Sequence, residues 1–431
     1  MDRPRLPTRP CLALALALPL SLAACATAPA RPKGPHTFEP DSKLTLVESA
    51  PIETTLDHPE VPNAHEVWVE MINSATRSVD VAQFYTSDEP GGRLGPVIAA
   101  LKAAAGRGVR VRFLVDDSFS LKYPKTTDEL TGIKGLQMRK LVAGNLFGGI
   151  LHAKYFVIDR KEGYLGSQNF DWRSLEHIQE MGVRIRSPEL SAELLDVFET
   201  DWELAGGAPK DFRMKRHKTY GPVRIGDDTT ATLTANPTGW LPDEASWDLP
   251  QIIERIDAAK KSVAVQVLTY KLKGYGGDTY TGLDDALRRA AQRGVKVRLL
   301  VSDWSNKLGS DARRDITELA KVPGIEVRVI TIPPWSGGFI PFARVCHSKF
   351  MVVDGETSWV GTSNWEGDYF FKSRNVGIII ESQPFTAELT HVFDDSWDAK
   401  YTKQPDPMPA GEKPLNEWKK KDFKADPEPM Y

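Results

Sequence analysis

The sequence predicts an α/β protein built from two copies of one unit. Each copy is a mixed β-sheet lobe flanked by helices, and the two share one active site about a pseudo-two-fold axis. Three observations predict this. Four blocks recur in the same order in both halves. Within each half, apolar β-branched runs alternate with helical patterns. One polar cluster recurs at the same place in each copy.

The blocks pair as follows: RSVDVAQFYT (77–86) with KSVAVQVLTY (261–270), RGVRVRFLVDD (107–117) with RGVKVRLLVSD (293–303), HAKYFVID (152–159) with HSKFMVVD (347–354), and VFETDW (197–202) with VFDDSW (392–397). Each copy opens on a helix with apolar residues at helical spacing, HEVWVEMINSAT (65–76) or LPQIIERIDAAK (249–260). A buried strand follows, then a helix that ends at glycine, VIAALKAAAGRG (97–108) or LDDALRRAAQRG (283–294). A second buried strand, an intervening segment and a polar-tipped strand with its partner complete the unit. Trp202 and Trp397 read as core anchors of the closing helices. The copies span 41–205 and 246–402, joined by a connector at 206–245; a Pro- and charge-rich tail occupies 403–431.

The chain has 431 residues and a net charge of −3, so any anion site is a local patch rather than a basic surface. Residues 1–25 hold three early arginines, a short apolar run and Leu22-Ala23-Ala24-Cys25. This resembles a bacterial lipoprotein signal, which implies cleavage before Cys25 and lipidation of its thiol. Residues 26–40 then read as a Pro/Ala tether, and Ala26 fits an outer-membrane lipoprotein facing the periplasm. Of the three cysteines only Cys346 remains after such processing, which excludes an intrachain disulfide.

The polar cluster in the first copy is His152-x-Lys154-x-x-x-x-Asp159 followed by Gly166, Ser167 and Asn169. The second is His347-x-Lys349-x-x-x-x-Asp354 followed by Gly361, Thr362 and Asn364. His and Lys two apart on a strand share one face, and Asn on the next strand can join them. Two copies face to face supply two imidazoles, two ammoniums and two amides, a pocket suited to a phosphodiester. One histidine attacks phosphorus; the other protonates the leaving oxygen and then activates water. The cations are built in, so no metal or cofactor is expected. Asp159 and Asp354 lie seven residues from their histidines, off that face, and read as supports from a turn. Glu180 is a candidate to hold an imidazole tautomer. Ser167 and Thr362 read either as substrate contacts or as strand hydroxyls satisfied by backbone.

These residues resemble the His-Lys-Asp motif of the phospholipase D superfamily, and the resemblance covers nearly the whole chain after the signal. LVESAP (46–51), GSQNFDWRSLEHIQEMGV (166–183), RRAAQRGVKVRLLVSDW (288–304) and ARVCHSKFMVVDGETSWVGTSNWEGDYF (343–370) are most similar to the mammalian lysosomal phospholipase-D-like 5′ exonucleases. That subgroup degrades single-stranded DNA and RNA, has a transphosphatidylation activity ascribed to it, and is related to poxvirus envelope proteins. The resemblance implies a phosphodiesterase working through a phosphohistidine, with His152 as nucleophile and His347 as acid by the superfamily's usual assignment, or the reverse in this subgroup. Its mammalian members carry disulfides and a membrane-spanning anchor, which this chain does not match.

Single-stranded nucleic acid is the preferred substrate class, with membrane phospholipid as the alternative. Two Gly-rich straps lead into the histidines, AGNLFGGIL (143–151) and PPWSGGFIPF (333–342). Trp335 and Phe339, together with Phe342 and Phe147, are candidate substrate contacts, by base stacking or by dipping among lipid headgroups. KDFRMKRHK (210–218) is a candidate phosphate guide or a solvated linker.

Overall fold

A computed structural model describes residues 43–214 and 221–407. Cys25, the signal, the tether, part of the basic segment and most of the tail lie outside the described residues.

The first lobe contains β1 (Leu44–Ser49), α1 (Ala64–Ser74), β2 (Ser78–Gln83), α2 (Leu94–Gly106), β3 (Arg110–Asp116), β4 (Leu136–Leu141), β5 (Tyr155–Ile158), β6 (Glu162–Gly166), β7 (Glu180–Ile185) and α3 (Pro188–Ala205). The second contains β8 (Thr230–Asn236), α4 (Asp248–Ala258), β9 (Ser262–Val267), α5 (Gly282–Gln292), β10 (Lys296–Ser302), β11 (Ile325–Ile330), β12 (Phe350–Val353), β13 (Thr357–Gly361), β14 (Asn375–Glu381) and α6 (Gln383–Asp398). The first sheet runs β1-β7-β6-β5-β2-β3-β4, and the second runs β8-β14-β13-β12-β9-β10-β11 with a two-residue strand added at each edge. Strand for strand the two orders coincide. In both, the three strands β2-β3-β4 or β9-β10-β11 are parallel and the rest antiparallel. The second lobe therefore begins at Thr230, not at 246. The connector conceals β8, which holds the place of β1, because a short Thr/Ala-rich strand carries little apolar signal.

One apolar cluster runs between the sheets and draws on both lobes, including Val183, Leu194, Phe198, Ile378 and Phe393. Separate clusters bury α1 and α2 on the outer face of the first sheet, and α4 and α5 on the outer face of the second. Trp202 and Trp397 are buried in the central cluster, stacked on Phe198 and Phe393. Cys346 is buried, and burial pushes its thiol up to about 12. Among the described residues no helix is long and apolar enough to cross a membrane.

The lobes are pinned by Arg374. Its side chain is fully buried, bonded to both Asp201 oxygens (2.8 Å to each at closest) and to the Asn236 and Trp240 carbonyls (2.6 and 2.8 Å). Asp201→Ala strands this cation and is expected to cost about 3–5 kcal/mol, read as a lower urea midpoint, whereas Asp201→Leu with Arg374→Met recovers most of it. A single variant that unfolds at the wild-type midpoint contradicts this role.

Candidate active site

Each motif histidine sits where its chain hands its hydrogen bonds to the other lobe. Leu151 bridges to Arg374, and Cys346 bridges to Gln179. The His152 amide donates to the Arg374 carbonyl at 2.9 Å, and the His347 amide donates to that of Gln179 at 2.9 Å. Both His-x-Lys stretches are extended but precede β5 and β12, because over these residues the partner strand belongs to the other lobe. In the first strap a Cβ on Gly149 would overlap the Lys372 carbonyl, so only glycine lets the lobes approach here.

The next residue of the opposing lobe then meets each ring. His347 Nδ1 lies 2.8 Å from Glu180 Oε2, and His152 Nδ1 lies 3.0 Å from Asn375 Oδ1. The Asn375 amide is oriented by its own bonds: Nδ2 donates to the Tyr369 carbonyl at 2.9 Å, and Oδ1 accepts from Thr362 Oγ1 at 2.8 Å. His152 therefore keeps its proton on Nδ1 and turns Nε2 toward the pocket. Glu180, when ionised, does the same for His347. The His152 ring is flanked by Phe84 and Tyr369, with centroids 5.1 and 4.8 Å away. Asn375 was not singled out from sequence, yet the same 195 residues separate Glu180 from Asn375 and His152 from His347.

The four cationic candidates are buried together. Lys154 donates to the carbonyl of His152, and Lys349 to that of His347. Burial, then the neighbouring Lys349, pushes Lys154 well below its ordinary value, and burial pushes Lys349 down to about 7 against the pull of Glu180. Burial and both lysines hold His152 and His347 well below the usual histidine range. Burial raises Glu180 to about 7, against Lys349, Ser167, Ser174 and Lys154. Such a pocket is short of negative charge, and a phosphodiester supplies it. Asn169 and Asn364 are buried alongside, each with an amide oxygen that has no hydrogen-bond partner. The Asn169 amide N–H bonds Ser174 Oγ at 3.0 Å, and Ser174 in turn donates to Glu180.

Three sequence readings need correction. Asp159 and Asp354 stand at the far ends of β5 and β12, roughly 20 Å of extended chain from their histidines. Asp159 accepts from the amides of Thr76, Arg77 and Ser78; Asp354 accepts from those of Lys260, Lys261 and Ser262. Both adopt the left-handed conformation that opens the following turn, with φ of 52° and 56°. They tie that turn to the start of β2 or β9 and take no part in the pocket. Ser167 and Thr362 are spent on the main chain of Met181 and Val376 and on steadying Glu180 and Asn375, rather than facing substrate. Phe147 is buried between Trp240 and Arg374, so the first strap offers no exposed aromatic there. In the second strap Trp335 is half-buried against His177, and Phe339 is 90% exposed.

Residues 68–202 and 252–397 match the family described as "Cardiolipin synthase, PLD-like domain". A protein named phospholipase D Z from Dictyostelium discoideum is 30% identical over 384 residues, covering 83% of this chain and 90% of its own. The virion nicking-joining enzyme of Vaccinia virus is 32% identical over 388 residues (85% and 90%), and the human 5'-3' exonuclease PLD3 is 31% identical over 416 (85% and 83%). The solved phosphatidylserine synthase of Haemophilus influenzae shares the fold, with a TM-score of 0.56 at 13% identity over 79% of this chain and 85% of its own.

The site electrostatics are open to a direct measurement. Nitrogen-15 NMR of the imidazoles is expected to find His152 and His347 still neutral at pH 5.5, where an ordinary histidine is mostly charged, with the His152 proton on Nδ1. Inorganic vanadate is expected to raise both values. Imidazolium signals from both rings at pH 5.5 without an anion would refute the arrangement.

Proposed function

We propose, from the premise that this chain belongs to the phospholipase D superfamily and is one of its phosphodiesterases, that His347 is its nucleophile and single-stranded nucleic acid its substrate. The observation that supports the first part is the crossed pairing of unequal partners: Glu180 to His347, Asn375 to His152. A phosphorylated imidazole is cationic, and a carboxylate on Nδ1 stabilises it where an amide does not. His152, lacking that anion, is the stronger proton donor.

In the first step His347 Nε2 attacks phosphorus and the P–O bond to the leaving group breaks. The charge of the bound phosphodiester raises His152, which takes up a proton at Nε2 and then gives it to the departing oxygen. Lys154, Lys349, Asn169 and Asn364 bind the non-bridging oxygens, where charge accumulates. In the second step His152 takes a proton from water, the hydroxide attacks phosphorus, and the P–N bond breaks to restore His347. An alcohol in place of water gives transfer instead of hydrolysis.

Full-length similarity to relatives named an exonuclease and a nicking-joining enzyme favours nucleic acid. Trp335 and Phe339 offer flat faces for unstacked bases. A second reading, phospholipid, is favoured by one observation. Among the described residues, the exposed large apolar side chains Leu121, Val142, Tyr275, Leu308 and Phe339 all lie in segments that leave the parallel strands at the end where the histidines enter. Three are aliphatic and cannot stack on bases. Lys122, Lys140, Lys273 and Lys307 stand within two residues of four of them, a pattern that suits an anionic headgroup layer.

Two experiments separate these readings. With a p-nitrophenyl phosphodiester, whose leaving group needs no acid, His152→Ala is expected to form and accumulate a covalent phosphoenzyme, and His347→Ala to form none. Accumulation in His347→Ala alone reverses the roles. For substrate, 5′-hydroxyl single-stranded oligonucleotides and vesicles of phosphatidylcholine with phosphatidylglycerol are given to the same preparation. Oligonucleotide cleavage at least 100-fold faster than choline or glycerol release is expected, and the opposite ratio would establish the phospholipid reading.

A further inference from the structure

A second cluster of titratable groups joins the lobes away from the reacting histidines. His58 and Glu60 come from the loop after β1; His391 and Asp395, one turn apart on α6, come from the other lobe. His58 Nε2 lies 3.6 Å from Asp395 Oδ2, and His391 Nε2 lies 3.5 Å from Glu60 Oε1 and 3.9 Å from Asp395 Oδ2. Both Nε2 atoms are buried and neither makes a hydrogen bond. The His58 side chain is only 1% exposed. A buried ring nitrogen left unsatisfied costs stability, so two of them converging on the same carboxylate call for an explanation.

We propose that His58, Glu60, His391 and Asp395 bind one divalent cation of the zinc type. Two imidazole nitrogens and two carboxylate oxygens are a donor set suited to Zn²⁺, and metal–ligand bonds of about 2.0–2.1 Å in a tetrahedron place donors about 3.4 Å apart. Among the described residues no group of three or more His, Cys, Asp or Glu is placed to hold a metal ion without side-chain movement. The three separations given above exceed that spacing by a few tenths of an ångström, within the play of the half-exposed His391 and Asp395 side chains. The ring of His58 is preset from behind: Glu48 Oε2 lies 2.8 Å from its Nδ1, and Glu48 Oε1 accepts its amide N–H at 2.7 Å. A carboxylate on Nδ1 that turns Nε2 toward a metal is the arrangement by which proteins orient histidine ligands. The His58 and His391 rings stand edge to face, 5.9 Å apart at 71°, so their free nitrogens can share an ion without stacking. Glu48, Glu60 and Asp395 bring three carboxylates to the two imidazoles, an arrangement that a dication suits.

The site would staple the loop at 50–63 to α6. That loop also carries Ile52 and Glu53, which bond Arg344 and Ser336 of the second strap, so the staple reaches the segment that delivers His347.

The test uses the purified full chain, stripped with chelator and then given ZnCl₂ or MgCl₂. About one zinc per chain is expected by elemental analysis. The melting temperature should rise by about 3 °C when zinc is a hundredfold above its dissociation constant, and magnesium should not change it. Cobalt(II) should give the intense visible bands of a four-coordinate site. His391→Gln and Asp395→Asn, at partly exposed positions, should melt like the stripped wild type and lose both the zinc shift and the cobalt spectrum. No zinc shift in the wild type would overturn the proposal and leave the cluster an ion-pair network. An undiminished shift in both variants would overturn it too, since zinc would then be binding elsewhere.

Discussion

The active arrangement depends on a single constraint: at two points the main chain changes hydrogen-bonding partner from its own lobe to the other. His152 N–H is given to Arg374, His347 N–H to Gln179, and the residue after each acceptor is the one that holds the imidazole. Neither lobe alone can build the site, because each histidine comes from one copy and its orienting group from the other. The crossing has to be rigid, since a shift of an ångström would break both ring contacts. Rigidity at one crossing comes from the saturated Arg374 guanidinium. At the other, Gln179 is held more lightly, with Nε2 on Ser396 and Oε1 near Gln266.

The burial of this cluster explains why a large, closed core surrounds it. Removing two ammoniums from water carries a penalty of several kcal/mol each, and a single carboxylate, Glu180, offsets only part. Their carbonyl contacts supply further compensation. An anionic phosphodiester completes the balance, so the same burial that destabilises the lysines becomes selectivity for anions. Such a site has to be supported by stability gained elsewhere, and the central apolar cluster shared by both lobes is where it is gained.

The sequence was most legible where a physical period or a repeat made it so. Helices α1, α2, α4 and α5 fall where apolar spacing and terminal glycines place them, and the duplication brings two His-Lys sets to one pocket. The roles of Asp159 and Asp354 were half legible. Their odd spacing removes them from the histidine face, but only the tertiary contact with residues 76–78 and 260–262 shows what they bind. Strand β8 was missed because Thr230–Asn236 pairs with β14 through backbone that any sequence can supply. Phe147 was misjudged because exposure is decided by what crosses over a strap, here Trp240 from the connector. Asn375 was within reach: it holds the place of Glu180 one repeat later.

That last pair also shows what duplication makes possible. Two identical histidine sites would have equal proton affinities and would compete for both roles. One substitution in the orienting residue, a carboxylate in one copy and an amide in the other, separates them. The fold keeps the geometry equal, with Nδ1 contacts of 2.8 and 3.0 Å, while the chemistry differs by one unit of charge. The flanks follow the same division. Phe84 and Tyr369 enclose the His152 ring, part of the burial that disfavours its charged form and, in the proposed role, sharpens it as an acid. Opposite them, Ser174 donates to the carboxylate beside His347. Pseudo-symmetry thus delivers both imidazoles to one pocket, and in the proposed mechanism its local violation decides which of them attacks.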